Sequence, residues 1–211
     1  MVGIIKSVSG YARRMPAPHP ETSPREAWPW AGAPWDWLGE PLAVDFANTI
    51  RRRGDAHVEL LRDGGDLLAW CAGEAGRVRA PGGAEARARL AEVRAARDDV
   101  FAVLRAAAEG RTPPAAAARR IDARARRHPV VPQLCGRPAV PDGLDAVDEL
   151  LARVAAATIE LALAGSAGGL AFCDAPSCGQ LFMRERGGQV WCGAACGTRA
   201  RVARHAARRR R

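Results

Sequence analysis

The chain has 211 residues, of which 48% are hydrophobic, and its formal net charge is +9. This length allows one medium-sized domain with a sizeable buried core together with a small module. The first ten residues lack the continuous apolar stretch of a signal peptide, and no run reaches the length needed to cross a bilayer. We therefore expect a cytoplasmic protein with no membrane partner.

Positive charge is concentrated in the C-terminal part of the chain. From Cys173 onward the sequence has nine arginines and two acids, a net +7, so residues 1–172 share the remaining +2. Such an asymmetry indicates a polyanionic partner. The chain contains 31 arginines and one lysine, and we attribute this skew to genomic composition rather than to recognition chemistry.

Residues 1–36 are rich in proline, glycine and serine, a composition typical of a mostly disordered tail. Four tryptophans lie within ten residues at and just beyond the end of this tail. Because tryptophan is usually buried, we predict that they pack onto a domain; stacking on nucleic-acid bases is the alternative. The four are Trp28, Trp30, Trp35 and Trp37.

The segment 40–50 begins a predicted helical domain that covers residues 37–165. Pro41 suits the first position of a helix, and large apolar residues recur at positions 42, 46 and 50. This four-residue spacing favours a helix. Alternation of apolar residues over the same segment leaves a strand as the alternative.

Apolar residues at three- and four-residue spacing predict four further helices in this domain. Glycines end the first two of them, and prolines open the third. We place the domain boundary in the glycine-rich linker 166–169 that follows the last helix. The predicted helices are Asp63–Gly76, Ala84–Glu109, Pro113–Arg127 and Leu144–Ala164.

Three polar residues share one face of the first predicted helix. Asp45, Asn48 and Thr49 form a candidate ligand pocket in the helical domain. The alternative is that they make hydrogen bonds at the helix end and help to pack the domain, as Asp, Asn and Thr commonly do.

Four cysteines follow the linker in two close pairs, with the spacing Cys173-x4-Cys178-x13-Cys192-x3-Cys196. Two such pairs can supply the four thiolates of a tetrahedral zinc site. Because four cysteines leave no position open to water, we predict one structural Zn²⁺. The alternatives are disulfides, a redox pair or unrelated core cysteines, and a reducing compartment disfavours the disulfides.

Residues 170–211 are expected to fold as a small module around this ion. Leu170–Phe172 and Leu181–Met183 are typical of strands, and Gly187-Gly188 is a candidate hairpin turn. The chain after Cys192 is typical of a helix. The predicted fold class is therefore mainly α (α+β): a helical N-terminal domain followed by a four-cysteine zinc module with a β-hairpin and a basic C-terminal helix.

The last helix is basic on the side that is predicted to face solvent. At 100° per residue, one face contains Cys196, Arg199, Val202, Ala203 and Ala206. The opposite face contains Arg201, Arg204, Arg208 and Arg211. Because the helix has no acidic residue, we predict that these four arginines bind nucleic-acid phosphates, whereas Arg199 bonds carbonyl groups near the metal. A frayed basic tail and an anionic membrane surface are the alternatives.

Two regions of the sequence resemble known families. Phe172–Phe182 and Trp191–Arg199 resemble the CGNR zinc finger, with Thr198 in the place of the signature Asn. Leu42–Thr49 and Asp66–Trp70 resemble the ABATE domain of putative stress-induced transcription regulators.

This resemblance implies a zinc-dependent, DNA-binding transcription regulator. Its N-terminal domain would then sense a small-molecule effector or mediate assembly, with a homodimer as one form. A zinc-stabilised protein-interaction module and an RNA-binding protein remain the alternatives. We expect no enzymatic activity, because the sequence has no motif that clusters an acid, a base or a nucleophile.

Overall fold

The computed structural model describes residues 39–53, 56–176 and 178–209, and at Arg52, Arg53 and Ala56 it describes the backbone alone. The four predicted tryptophan contacts and the predicted disordered tail lie outside these residues. The elements in chain order are α1 (Leu42–Ala47), β1 (Ile50–Arg53), β2 (Ala56–Glu59), α2 (Gly64–Gly73), α3 (Gly83–Ala108), α4 (Ala115–Arg127), α5 (Ala146–Ala164), β3 (Leu170–Phe172), β4 (Leu181–Met183) and α6 (Ala194–Arg209).

The predicted fold class is confirmed, and α3 is the centre of the helical part. Helices α1, α2, α4 and α5 all pack against α3. Its apolar stripe includes Val93, Val100 and Leu104, each at most 2% exposed. On the other helices, Phe46 and Trp70 meet with ring centroids 5.4 Å apart. The predicted helices agree with the observed ones to within a few residues, because their apolar stripes face this common core.

Helix α1 ends earlier than its apolar spacing predicts. It stops at Ala47, and Ile50 starts strand β1 instead of continuing the helix. The side chain of Thr49 donates to the carbonyl oxygen of Phe46 at 2.7 Å, and the side chain of Asn48 is bonded outside the helix. These polar contacts turn the chain away from the helix axis.

Strands β1 and β2 form an antiparallel hairpin that the sequence analysis did not predict. A buried arginine anchors its base: Arg97 is 2% exposed and donates to both carboxylate oxygens of Glu59, at 2.6 and 2.7 Å. These two charge-assisted hydrogen bonds offset the free-energy cost of removing the guanidinium from water. The hairpin is thereby fixed to α3 through its last residue.

Helix α5 with the turn that follows it, Ala146–Gly168, is long and apolar enough to cross a membrane by length and composition. The expectation that no segment has this length was therefore wrong. In the fold, α5 packs on α3 and α4, and Val147, Leu150 and Val154 are at most 1% exposed. Burial in the core thus accounts for the apolar residues in the first half of the helix, whereas Leu163 near its end is 85% exposed.

The zinc module begins directly at the core of the helical domain. A short 3-10 turn, Gly165–Gly168, occupies most of the predicted linker and leads into β3. Leu170 of β3 and Leu181 of β4 are 0% exposed, and both belong to the same apolar core as α3 and α5. Phe172 packs edge-on against Phe101 at 6.4 Å between ring centroids.

Candidate metal centre and basic helix

The first cysteine pair lies in the loop that joins β3 to β4. Cys173 follows β3 directly, and its amide donates to the carbonyl oxygen of Gln180 at 2.8 Å. Gly179 adopts a positive φ of 69° and donates its amide to the carbonyl oxygen of Cys173 at 3.2 Å. A residue without a Cβ is favoured at this conformation. The turn brings Cys178 back beside Cys173.

The second pair lies at the start of α6. Cys192 precedes the helix, and Cys196 lies in its first turn. The amide of Cys192 points at the sulfur of Cys173, with 3.5 Å between the two atoms. The predicted hairpin at Gly187-Gly188 was wrong: these glycines form a turn, and the described residues 190–191 after them are not a strand.

The four Sγ atoms form a compact cluster that fits one zinc ion. All of them lie within 4.8 Å of one another. The sulfur of Cys192 lies 3.6 Å from that of Cys178 and 3.5 Å from that of Cys196. A tetrahedron with Zn–S bonds of about 2.3 Å has edges of about 3.8 Å, so these distances suit the ion.

The chemistry of the cluster also favours a cation. The interaction with Cys173, together with burial, raises the pKa of the Cys178 thiol. Crowded thiols therefore cannot all ionise by themselves, whereas a divalent cation stabilises the four thiolates together. The site is structural, because all four tetrahedral positions are taken by protein sulfur. The prediction of one structural zinc is thus confirmed.

Gly197 follows Cys196 and leaves room for the ring of Trp191. A Cβ at this position would lie 3.2 Å from Cδ1 of that indole, closer than most carbon contacts. Trp191 and Cys192 in turn pack on the small core of the module, which includes Ala171 and Phe182. Glycine at this position therefore allows the indole to cover the metal cluster.

Arg199 is exposed, and its guanidinium contacts both cysteine pairs of the metal centre. Its Nη1 donates to the carbonyl oxygen of Pro176 at 3.2 Å, and its Nη2 lies 3.6 Å from the sulfur of Cys196. The guanidinium therefore joins the first cysteine loop to α6. A cation beside a metal-bound thiolate also offsets part of the negative charge of a four-thiolate site.

The rest of α6 extends beyond the module. Cys196 and Ala200 are 5% and 4% exposed, whereas every described residue from Arg201 to Arg209 is exposed. Val202, at 64% exposed, does not face the metal, and neither do Ala203 and Ala206. The expected inward face was wrong past Ala200, because the small module has no surface there on which the helix could pack.

The arginines of this exposed end lack acidic partners among the described residues. Arg201 donates to Thr198 Oγ1 at 3.2 Å, and Arg204 donates weakly to the carbonyl oxygen of Ala200 at 3.4 Å. Arg208 is exposed. Arg211, the fourth predicted phosphate ligand, lies outside the described residues. The predicted nucleic-acid contacts therefore remain predictions, on a surface that is available to a partner.

The side chains of the three residues of the candidate ligand pocket all make hydrogen bonds within the chain. Asn48 binds the backbone of Leu181, and Asp45 accepts from the amide of Glu40 and from Arg77, both at 3.1 Å. Thr49 bonds within its own turn. These are the contacts of the alternative interpretation, helix-end bonding and domain packing. Ligand binding by these residues stays a prediction.

Sequence reasoning missed a group of charges beside this site. Arg77 pairs with Glu74 at 2.8 Å and donates to the carbonyl oxygen of Glu40 at 2.9 Å. Burial raises the pKa of Glu40 to about 8, and it also raises the pKa of Asp45 and of Glu74. Arg77 therefore bonds two carboxyl groups, those of Asp45 and Glu74, and the backbone carbonyl of Glu40. The sequence carried no signal for this group, because its members come from separate elements.

Comparisons with known proteins agree with these observations. The model of the ABATE family, described as a putative stress-induced transcription regulator, matches residues 40–165. The model of the CGNR zinc finger matches residues 170–209, which include the four cysteines. A search of curated proteins found no match. The chain therefore belongs to the ABATE family of putative stress-induced transcription regulators and carries a CGNR zinc finger after its helical domain.

Proposed function

We propose that this protein is a cytoplasmic transcription regulator that binds DNA through helix α6. In this proposal the zinc ion fixes the start of α6, and the exposed end of the helix contacts the nucleic-acid backbone. The description of the ABATE family supports a role in transcription. The chemistry of α6 supports an anionic partner.

The observation that carries this proposal is the acid-free, exposed end of α6. Exposed helices normally interleave acids with their bases, because like charges three and four residues apart repel. Here Arg201, Arg204 and Arg208 have no carboxylate partner among the described residues. Phosphates would supply the missing counter-charge and release condensed cations on binding.

The shape of α6 favours double-stranded DNA over RNA. Nine described residues, Arg201–Arg209, extend past the last buried position, a length of about 13 Å at 1.5 Å per residue. The major groove of B-DNA admits an α-helix, whereas the deep and narrow major groove of A-form RNA does not. An exposed helical end whose arginines share one broad face suits a groove that is bordered by phosphates.

The helical domain, in this proposal, senses a small-molecule effector or mediates assembly, for example as a homodimer. Its contacts with the zinc finger support such a role, because β3 and β4 pack on the core of that domain. A change in the helical domain would therefore reach the base of the DNA-binding helix.

A salt titration of DNA binding tests the proposal. Each phosphate contact contributes about 0.9 to the slope of log affinity against log salt. The triple variant R201A/R204A/R208A should therefore bind genomic DNA fragments with a slope that is lower by about 2 to 3. Its melting temperature should stay near the wild-type value, since exposed charges contribute little to folding.

A matched control separates direct contact from a general loss of positive charge. Helix α4 carries exposed arginines that do not pair with Asp99, among them Arg119, Arg126 and Arg127. The variant R119A/R126A/R127A removes the same charge from another surface and should keep the wild-type slope. An unchanged slope in the α6 variant would contradict the proposal. Binding to RNA alone, or to no nucleic acid, would favour the RNA-binding or protein-interaction alternatives.

A further inference from the structure

Strand β4 has an outer edge that faces the helical domain. Flanking hydrogen bonds from Cys173 to Gln180 and from Arg184 to Gly169 set the pairing pattern of the β3–β4 hairpin. In this pattern Phe182 bonds to β3, whereas Leu181 and Met183 direct their backbone groups to the other side. A two-stranded hairpin leaves such groups without a strand partner.

Two side chains of the helical domain take the place of a third strand. Asn48 donates from Nδ2 to the carbonyl oxygen of Leu181 at 2.9 Å and accepts from the Leu181 amide at 3.0 Å. The side-chain amide of asparagine thus copies the donor and acceptor of a peptide group. Glu40 accepts from the amide of Met183 through Oε2 at 3.0 Å.

Water cannot easily replace these bonds, because Leu181 is 0% exposed and Asn48 is 8% exposed. The β4 edge that Asn48 and Glu40 bind also determines the position of the loop that carries Cys173 and Cys178. Strand β3 ends one residue before Cys173, and β4 begins three residues after Cys178. The position of this hairpin on the helical domain therefore fixes the first cysteine pair relative to the rest of the fold.

We propose that Asn48 and Glu40 are positioning residues for the zinc site, so that retention of zinc depends on the segment 40–49 of the helical domain. Coupling between two sites is reciprocal, and bound zinc must therefore stabilise that segment as well. The proposal concerns zinc retention only, and it stands whether or not α6 binds DNA.

A physical connection continues from this segment into helix α2 and its end. Arg77 donates to Asp45 and to the carbonyl oxygen of Glu40, and it pairs with Glu74 of the α2 terminus. Arg105 of α3 lies over the ring of Phe172, 4.6 Å from the centroid, and holds the other strand. The hairpin is thereby held on both strands by side chains of the helical domain.

The transfer of zinc to a chromogenic chelator, measured well below the melting temperature, tests this role. Asn48→Ala should release zinc about tenfold faster than wild type. The control is Ile121→Ala, since Ile121 is 2% exposed on α4, which packs on α3 and α5. That variant creates a cavity of comparable cost far along the sequence from the hairpin. Release at the wild-type rate from Asn48→Ala, or equal release from both variants, overturns the proposal.

A second measurement uses the wild-type protein and decides the question even if Asn48→Ala does not fold. Hydrogen exchange is followed by mass spectrometry before and after zinc is removed with a chelator. Exchange in peptides covering 40–49 should rise severalfold, and exchange in α4 should change little. An unchanged rate at 40–49, or an equal rise in α4, overturns the proposed local connection.

Discussion

Asn48 and Leu181 are 133 residues apart in the sequence, and they exchange two hydrogen bonds in the fold. One residue belongs to the region that matches the ABATE family and the other to the CGNR zinc finger. Removing the Asn48 side chain would leave a buried amide and a buried carbonyl without partners, at a cost of about 1–3 kcal/mol each. The two regions are therefore joined by specific polar bonds as well as by apolar packing.

The zinc content should be one ion per chain, and it should depend on the cluster cysteines. We expect Cys178→Ser to lose the ion during dialysis against a weak chelator, because an alcohol is a poor zinc ligand in place of a thiolate. Elemental analysis of the purified protein measures this. Cys135→Ser is the matched control, since Cys135 is exposed and outside the cluster. Wild-type zinc content in Cys178→Ser would show that the cluster is not the metal site.

A fragment that ends at residue 169 should fold poorly. A flexible linker at 166–169 would predict an independent helical domain, but Leu170 and Leu181 fill the core of that domain. Each buried leucine contributes about 1.5–3 kcal/mol, a large share of a typical total stability of about 5–15 kcal/mol. We expect thermal unfolding, followed by circular dichroism, to lose its cooperative transition. A sharp transition near the wild-type temperature would contradict this expectation.

Arg199→Ala should weaken zinc retention without changing the salt dependence of DNA binding. The guanidinium bonds Pro176 and lies beside the sulfur of Cys196, so its loss loosens the first cysteine loop. We expect a lower melting temperature, by several degrees, and faster zinc transfer to a chelator. Arg201→Ala is the control, because the guanidinium of Arg201 bonds Thr198 of its own helix, so its loss should affect the salt slope and leave zinc retention intact. The reverse pattern would assign the phosphate contact to Arg199.

Stability should fall as the pH rises through the range in which Glu40 ionises. Burial raises its pKa from 4.5 to about 8, so the folded state keeps a proton that the unfolded state loses above pH 4.5. The contribution of Glu40 to the free energy of unfolding is therefore fully present below pH 4.5 and is lost as the pH rises to about 8. Since Glu40 is partly exposed, we expect an effect of about 1–2 kcal/mol rather than the full value for such a shift.

Glu40→Gln isolates this effect, because glutamine keeps an oxygen that can accept from the amide of Met183 and does not titrate. Denaturant unfolding of both proteins between pH 6 and pH 9 should show wild type losing stability relative to the variant. The range begins at pH 6 because protonation of the cysteines releases zinc at lower pH. A constant difference between the two proteins across this range would mean that Glu40 is ionised throughout.

The sequence by itself determined the metal site and most of the helices. Two close cysteine pairs with turn residues specify a zinc site locally, and apolar residues at helical spacing specify which faces are buried, whatever lies opposite. Only the tertiary structure determines which residues, if any, contact the polar face of each helix. Helical phase could not show that the described residues of α6 after Ala200 are all exposed, since that depends on the size of the zinc module. Nor could it show that the side chain of Asn48 bonds the backbone of Leu181. These two residues belong to different family matches, and they meet only at the edge of strand β4. Periodicity records burial along one element, whereas a hydrogen bond between distant elements exists only once both have folded together.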